Sequence, residues 1–101
     1  MYYNKLLCGV TRMKKIIRRA VAGTLESSDA FVTVEPWENG TELVIDSVVA
    51  QQFGEDIKNS VQEVLEQMGI THACVSIVDR GALDCVIRAR VETAVLRGME
   101  E

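Results

Sequence analysis

Between Val49 and Met68 apolar side chains recur at spacings of four, four, four, three, one and three residues, through Phe53, Ile57, Val61, Val64 and Leu65. A helix gathers that set on one face, so the spacing predicts an amphipathic helix of about twenty residues. Asp46-Ser47 precedes it with two residues of the type that caps a helix. Gly69 follows it in a position suited to a left-handed stop. Gly54, inside the stripe, costs about 1 kcal/mol relative to Ala.

A helix with one apolar stripe must bury it, and the flanking segments offer the surface. Residues 30–35 place Phe31, Val32, Thr33 and Val34 in a run favourable for a strand, and residues 41–46 do the same with Leu43, Val44 and Ile45. Pro36 ends the first run and Asn39-Gly40 is a reverse-turn signal. A meander of two or three antiparallel strands is expected, with residues 20–26 as its optional first member. Ser27-Ser28-Asp29 reads as a turn. Residues 70–78 read as a further strand with Ala73, Val75 and Ile77 on one side. Asp79-Arg80-Gly81 is a tight connection. Residues 82–97 set Leu83, Val86, Ile87, Val91, Ala94 and Val95 on a second helical stripe, which Gly98 closes.

The expected order is (β)ββαβα. It makes an α+β two-layer sandwich, a small and mainly antiparallel sheet with two helices on one face. The strand–helix–strand crossover should be right-handed.

The 101 residues suffice for one small domain. The hydrophobic fraction is 48%, but only five residues are aromatic, so Val, Ile, Leu and Ala must build the core. Charge divides the chain. Residues 1–19 carry Lys5, Arg12, Lys14, Lys15, Arg18 and Arg19 without an acid, and residues 20–101 carry five basic groups against all fifteen acids. Residues 1–19 are therefore expected to be a basic N-terminal extension with little structure, and residues 20–98 the domain. Met13 fits a natural start. The acidic body repels nucleic acid and anionic lipid, and favours partners with basic docking surfaces. No run approaches the roughly 20 apolar residues of a membrane span.

Chemistry-bearing patterns are sparse. Neither G-x-x-x-x-G-K-[ST] nor G-x-G-x-x-G occurs. Cys8, Cys74 and Cys85 form no C-x-x-C pair, and His72 is the one histidine, so neither a disulfide framework nor a metal site is expected. Cys74 and Cys85 read as small buried hydrophobes, and His72 as a partly exposed structural residue. Asp79 and Asp84 flank Gly81 with turn and helix-start chemistry. Arg88 and Arg90 form either a solvated helix face or a docking patch for a phosphate or an acidic partner. No catalytic set results, which suits a carrier: one exposed hydroxyl on a turn, to which a transferase attaches an arm. Two serines fit. Asp46-Ser47-Val48 is like the modified segment of ordinary helical acyl carriers, but it follows strand-like runs and reads better as a cap. Ser27 is the other, and its residue pattern alone does not separate it from Ser28 or from an ordinary turn serine.

Two longer blocks go further. Ala20-Val21-Ala22-Gly23-Thr24-Leu25-Glu26-Ser27-Ser28-Asp29 resembles the modification segment of citrate lyase acyl carrier (gamma) subunits. Asp79-Arg80-Gly81-Ala82-Leu83-Asp84-Cys85-Val86-Ile87-Arg88-Ala89-Arg90-Val91-Glu92 resembles that family's second signature, and Gln52-Phe53-Gly54-Glu55-Asp56-Ile57 matches between them. The resemblance spans residues 13–97. It implies a non-catalytic, cytoplasmic subunit that serves citrate fermentation. A covalently bound 2'-(5''-phosphoribosyl)-3'-dephospho-CoA is implied on the serine directly after Leu-Glu, here Ser27, as a phosphodiester. Acetyl and citryl groups would ride on its thiol between the citrate lyase alpha and beta subunits, giving acetate and oxaloacetate from citrate. A prosthetic-group transferase is the further partner. Glu26, Ser28 and Asp29 are its expected recognition neighbours, and Arg88 and Arg90 the expected contacts of the lyase subunits or of the arm's phosphates. Residues 1–12 exceed the family's usual start. The malonate decarboxylase carrier, a relative with the same kind of arm, typically has a Gly-Ser-Gly-Asp-like segment instead. A protein-interaction module without any arm is the remaining alternative.

Overall fold

The computed structural model describes residues 15–47 and 50–100, without the side chains of residues 50–53. Cys8, the Met13 start and the first three basic groups of the N-terminal stretch lie outside those residues, as do the side chains of Val49 and Phe53. The elements are β1 (Ala20–Gly23), β2 (Ala30–Pro36), β3 (Thr41–Ser47), α1 (Ala50–Gln67), β4 (Ala73–Asp79) and α2 (Asp84–Met99). The architecture is the expected α+β sandwich in the expected order.

The sheet runs β1-β2-β4-β3. β1 and β4 each pair with β2 antiparallel, and β3 pairs with β4 parallel. The expected β2–β3 hairpin is therefore corrected, because β4 lies between the two strands. Composition accounts for the placement. β4 alternates buried and half-buried residues along its length, as a strand with neighbours on both sides must. β3 carries Glu42 and Asp46 exposed, and charged side chains protect a sheet edge from further pairing.

Register builds the core in rows across the sheet: Ala22, Val32, Ile77 and Ile45, then Ala20, Val34, Val75 and Leu43. The helices cover this face. α1 contributes Ile57, Val61, Val64 and Leu65, and α2 contributes Ile87, Val91, Ala94 and Val95, all buried. Each such aliphatic side chain stabilises the fold by roughly 1.5–3 kcal/mol when fully buried.

α1 ends as Gly69 predicts. Gly69 takes a φ of 74°, its N–H bonds the Glu66 carbonyl, and the Ile70 N–H bonds that of Leu65. This is the paired closure of a Schellman motif, with buried Ile70 as its apolar partner. Gly98 plays a different part from the expected stop. It is buried within α2, where an added Cβ would meet Val34, Ile16 and the Arg18 carbonyl at 3.0–3.2 Å. The N–H groups of Ile17 and Arg18 both bond the Gly98 carbonyl, and Ile16 is buried in the core. The core thus includes a residue four positions ahead of the expected domain start at Ala20.

The cysteines are also corrected. Cys74 is half-buried and Cys85 exposed. Cys74 alternates with Ala73 and Val75, so it faces away from the helices. Cys85 precedes inward-facing Ile87 by two residues, roughly 200° around a helix of 3.6 residues per turn. Burial, then Glu42 and Glu35, push the Cys74 thiol up.

Candidate functional site

β1 and β2 are joined by residues 24–29, and this connection is held by hydrogen bonds at Thr24, Glu26, Ser28 and Asp29. The Asp29 N–H bonds the Glu26 carbonyl at 3.2 Å, closing a four-residue turn with Ser27 and Ser28 at its centre. Ser28 has a φ of 66°, the left-handed conformation that the third residue of a type II turn requires. A second pair of bonds ties the turn to the β4–α2 connection: Ser28 N–H to the Arg80 carbonyl at 2.8 Å, and Arg80 N–H to the Asp29 carbonyl at 2.9 Å. The two sequence blocks that carry the family resemblance therefore meet in space, about fifty residues apart in the chain.

Asp29 is the hub. Its Oδ1 accepts from the Ala30 N–H at 2.7 Å and from Arg90 Nε at 3.0 Å. Its Oδ2 accepts from Thr24 Oγ1 at 2.7 Å and from Arg90 Nη2 at 3.0 Å. Thr24 Oγ1 also accepts the Glu26 N–H. The Arg90 guanidinium, the Thr24 hydroxyl and the Ala30 N–H together hold the Asp29 carboxyl well below the usual carboxylate range. Arg90 reaches it over Gly23, where an added Cβ would lie 3.2 Å from Arg90 Cδ.

A pH dependence follows from that shift. A carboxyl with its pKa lowered on folding stabilises the native state fully above its unfolded value of about 3.9 and loses that contribution as pH falls toward the folded value. Asp29→Asn should therefore be less stable than the parent at pH 7 and should lose less between pH 4 and pH 2. Urea midpoints across that range would read the difference. Parallel acid limbs for the two proteins would show that Asp29 is not ion-paired in solution.

Ser27 is exposed, and its hydroxyl makes no hydrogen bond with any described residue. Leu25, two residues before it, and Ser28 after it are exposed as well. Ser47, the serine set aside at the sequence level, ends β3 half-buried, and its hydroxyl donates to Asp79 Oδ2 at 2.7 Å. Asp79 is 1% exposed. Its Oδ1 accepts the N–H groups of Gly81 and Ala82 at 3.1 and 2.8 Å, the turn chemistry expected of it. Asp84 sits in the first turn of α2 and joins the two helices. It accepts from the Ser60 hydroxyl and from Arg88 Nε at 2.8 Å, and Arg88 Nη2 reaches Glu63 at 2.6 Å. Ser60 and Arg88 both lower the Asp84 carboxyl below its ordinary value.

Several expectations change here. Arg88 and Arg90 are not a shared cationic patch, since each is tied to carboxylates of its own chain. The Asp29 side chain is 14% exposed and turned toward Arg90 and Thr24. His72 is exposed and meets Thr71 Oγ1 through Nδ1 at 2.9 Å. No group of three or more metal-ligating side chains occurs among the described residues, and no helix among them is long and apolar enough to cross a membrane.

Known proteins are similar to this chain in sequence and in fold. The family described as malonate decarboxylase delta subunit (MdcD) matches residues 17–98. The citrate lyase acyl carrier protein of Rhodopseudomonas palustris is 53% identical over 87 residues, covering 86% of this chain and 90% of that protein. Its counterpart in Haemophilus influenzae strain PittEE is 54% identical with the same coverage. A chain from the crystal structure of a Pseudomonas malonate decarboxylase hetero-tetramer in complex with malonate superposes with a TM-score of 0.72 at 22% identity, over 81% of this chain and 84% of that one. That likeness shows a common fold.

Proposed function

The chain belongs to the family of citrate lyase acyl carrier proteins, and from that premise we propose that it is an acyl carrier subunit of citrate lyase with its prosthetic arm on Ser27. The observation that supports this reading is an exposed serine hydroxyl on the anchored turn between β1 and β2. The Ser27 hydroxyl is exposed and has no hydrogen-bond partner among the described residues; the Ser28 hydroxyl is exposed too, and the position directly after Leu25-Glu26, as in the family's segment, selects Ser27. A phosphodiester needs that hydroxyl on the solvent side, because the group attached to it is larger than the turn itself. Ser47 fails the same test through its bond to Asp79.

The arm expected is 2'-(5''-phosphoribosyl)-3'-dephospho-CoA, whose terminal thiol would hold acetyl and citryl groups as thioesters. The chain supplies no catalytic residue in this reading. It presents a tether on a rigid turn, and the alpha and beta subunits supply the chemistry that converts citrate to acetate and oxaloacetate. The tether raises the local concentration of the bound group at both of their sites. The cytoplasm is the compartment this reading implies.

Intact mass of the chain purified from a citrate-fermenting host tests it. The parent and Ser28→Ala should carry one coenzyme A-derived adduct, and Ser27→Ala should carry none. An unmodified parent from a host with active citrate lyase would sink the carrier reading and leave an interaction module. A second reading, the carrier subunit of a malonate decarboxylase, draws on the family match and the shared fold. It carries the same kind of arm, so reconstitution must separate the two. The loaded chain should restore turnover of citrate to lyase alpha and beta subunits, and should not support release of carbon dioxide from malonate.

A further inference from the structure

Asp29 immediately follows the Ser27-Ser28 pair, and adjacency alone would make it a recognition carboxylate for the attaching transferase. Its environment assigns it another task. Its side chain is 14% exposed, and both oxygens already accept two hydrogen bonds each. Little of it remains for a second protein to touch.

The partner that fixes it comes from 61 residues away. Arg90 stands on α2, a helix packed against β1 and β2 with Ile87, Val91 and Ala94 buried in the core. Its planar guanidinium grips Asp29 with two parallel N–H···O bonds of 3.0 Å. A bidentate fork fixes orientation as well as distance, which a lysine ammonium does not. Asp29 in turn orders Thr24 and Ala30 on either side of the turn. The Ser28 N–H also donates to the Arg80 carbonyl, and the Arg80 N–H donates to the Asp29 carbonyl. The backbone on either side of Ser27 is thereby anchored to the sheet and to α2, with the Ser27 hydroxyl exposed between the anchors.

From this geometry we infer that Arg90 is a positioning residue for modification of Ser27: through its paired bonds to Asp29 it holds the 24–29 turn in the form that the transferase accepts. The inference rests on the reading of Ser27 as the attachment point. The arginine touches neither the transferase nor the arm. It sets the fraction of molecules whose turn is already arranged for docking, and the apparent affinity for a partner falls in proportion when that fraction falls.

The experiment follows attachment to the full-length chain by purified transferase and its activated prosthetic precursor, read as intact mass against time over a range of carrier concentrations. Arg90→Lys keeps the charge and loses the fork, Arg90→Met loses both, and Asp29→Asn keeps the shape while weakening the ion pair. Amide exchange at Ser28 and Arg80 is measured in parallel, and far-ultraviolet dichroism verifies the fold of each variant. Arg90→Met should raise the carrier KM roughly ten-fold with kcat nearly unchanged, and should speed exchange at both amides by a similar factor. Arg90→Lys should fall between Arg90→Met and the parent. Asp29→Asn should move both quantities in the same direction, which keeps the test open should Arg90→Met fold poorly. A raised KM with parent-like exchange would mean that Arg90 contacts the transferase directly, and would overturn the inference. So would parent-like kinetics in folded Arg90→Met. If the parent itself acquires no adduct on Ser27, the reading of the site falls and the inference with it; an adduct on the parent confines any failure to Arg90.

Discussion

Gly23→Ala should lower stability by about 2–5 kcal/mol, because the backbone conformation and the space around it both reject a side chain. Gly23 has a φ of 94°, a region that costs an L-residue roughly 1–2 kcal/mol. An added Cβ would also lie 1.9 Å from the Ala30 carbonyl oxygen. That oxygen belongs to the first residue of β2, and Gly23 pairs with its neighbour Phe31, so neither strand can retreat without losing register. Arg90 Cδ stands 3.2 Å from the same point, so the substitution also presses on the arginine that holds Asp29. Gly40 provides the control. Its φ is 99°, yet nothing lies within 4 Å of an added Cβ. Gly40→Ala should show the conformational cost alone, on the order of 1–2 kcal/mol. Urea denaturation of the two variants would separate clash from strain, and equal losses would mean that β1 and β2 are farther apart in solution than the close approach requires.

What the sequence disclosed and what it hid divide along physical lines. Local periodicity is written in consecutive residues, so the described part of the α1 stripe, the alternation of β4 and the α2 stripe from Ile87 onward were readable, whereas Leu83, expected on that stripe, precedes the helix and is 71% exposed. The Schellman closure at Gly69 was readable for the same reason, since all its parts lie within six residues. Strand neighbours are different. Asn39-Gly40 reports that the chain reverses, and the same turn serves a hairpin or a connection that steps over one strand position, about 10 Å at the usual strand spacing. Here it does the second, and the Gly40 carbonyl accepts from the Ala73 N–H of the intervening β4. The site divides in the same way. The turn at Ser27-Ser28 was legible from composition. The Arg90–Asp29 fork joins residues 61 apart, and no local pattern could pair them. The hint was that each residue lies in one of the two blocks carrying the family resemblance. Arg88 shows why such pairing matters. From the sequence it shared with Arg90 either a solvated face or a docking patch, but two residues along a helix turn the side chain by about 200°, and it meets Glu63 of α1 and Asp84.

Asp79→Ala should cost about 2–4 kcal/mol, a large loss for a polar residue, and should loosen the Ser27 turn from a distance. The Asp79 carboxylate is almost fully buried at the end of β4, in the row that joins Ala30 of β2 to Ser47 of β3. One oxygen takes the Gly81 and Ala82 N–H groups, and the other takes the Ser47 hydroxyl. Alanine removes the shared acceptor of three part-buried hydrogen bonds at a position that is itself 1% exposed, and hydrogen bonds to a charged group contribute more than neutral ones. Asparagine should cost less, about 1 kcal/mol. Its carbonyl can hold the Gly81 and Ala82 N–H groups, and Ser47 can rotate to accept from its amide. Arg80 lies between Asp79 and Gly81, and its backbone supplies both bonds to the 28–29 end of the turn. Loss of the Asp79 anchor should therefore speed amide exchange at Ser28 and Arg80 as well as at Gly81 and Ala82, whereas Asp79→Asn should leave the first pair near the parent rate. Urea denaturation with residue-resolved exchange measures both effects. A change confined to Gly81 and Ala82 would show that the Ser27 turn is held from β1, β2 and Arg90 alone, without help from the β4–α2 connection.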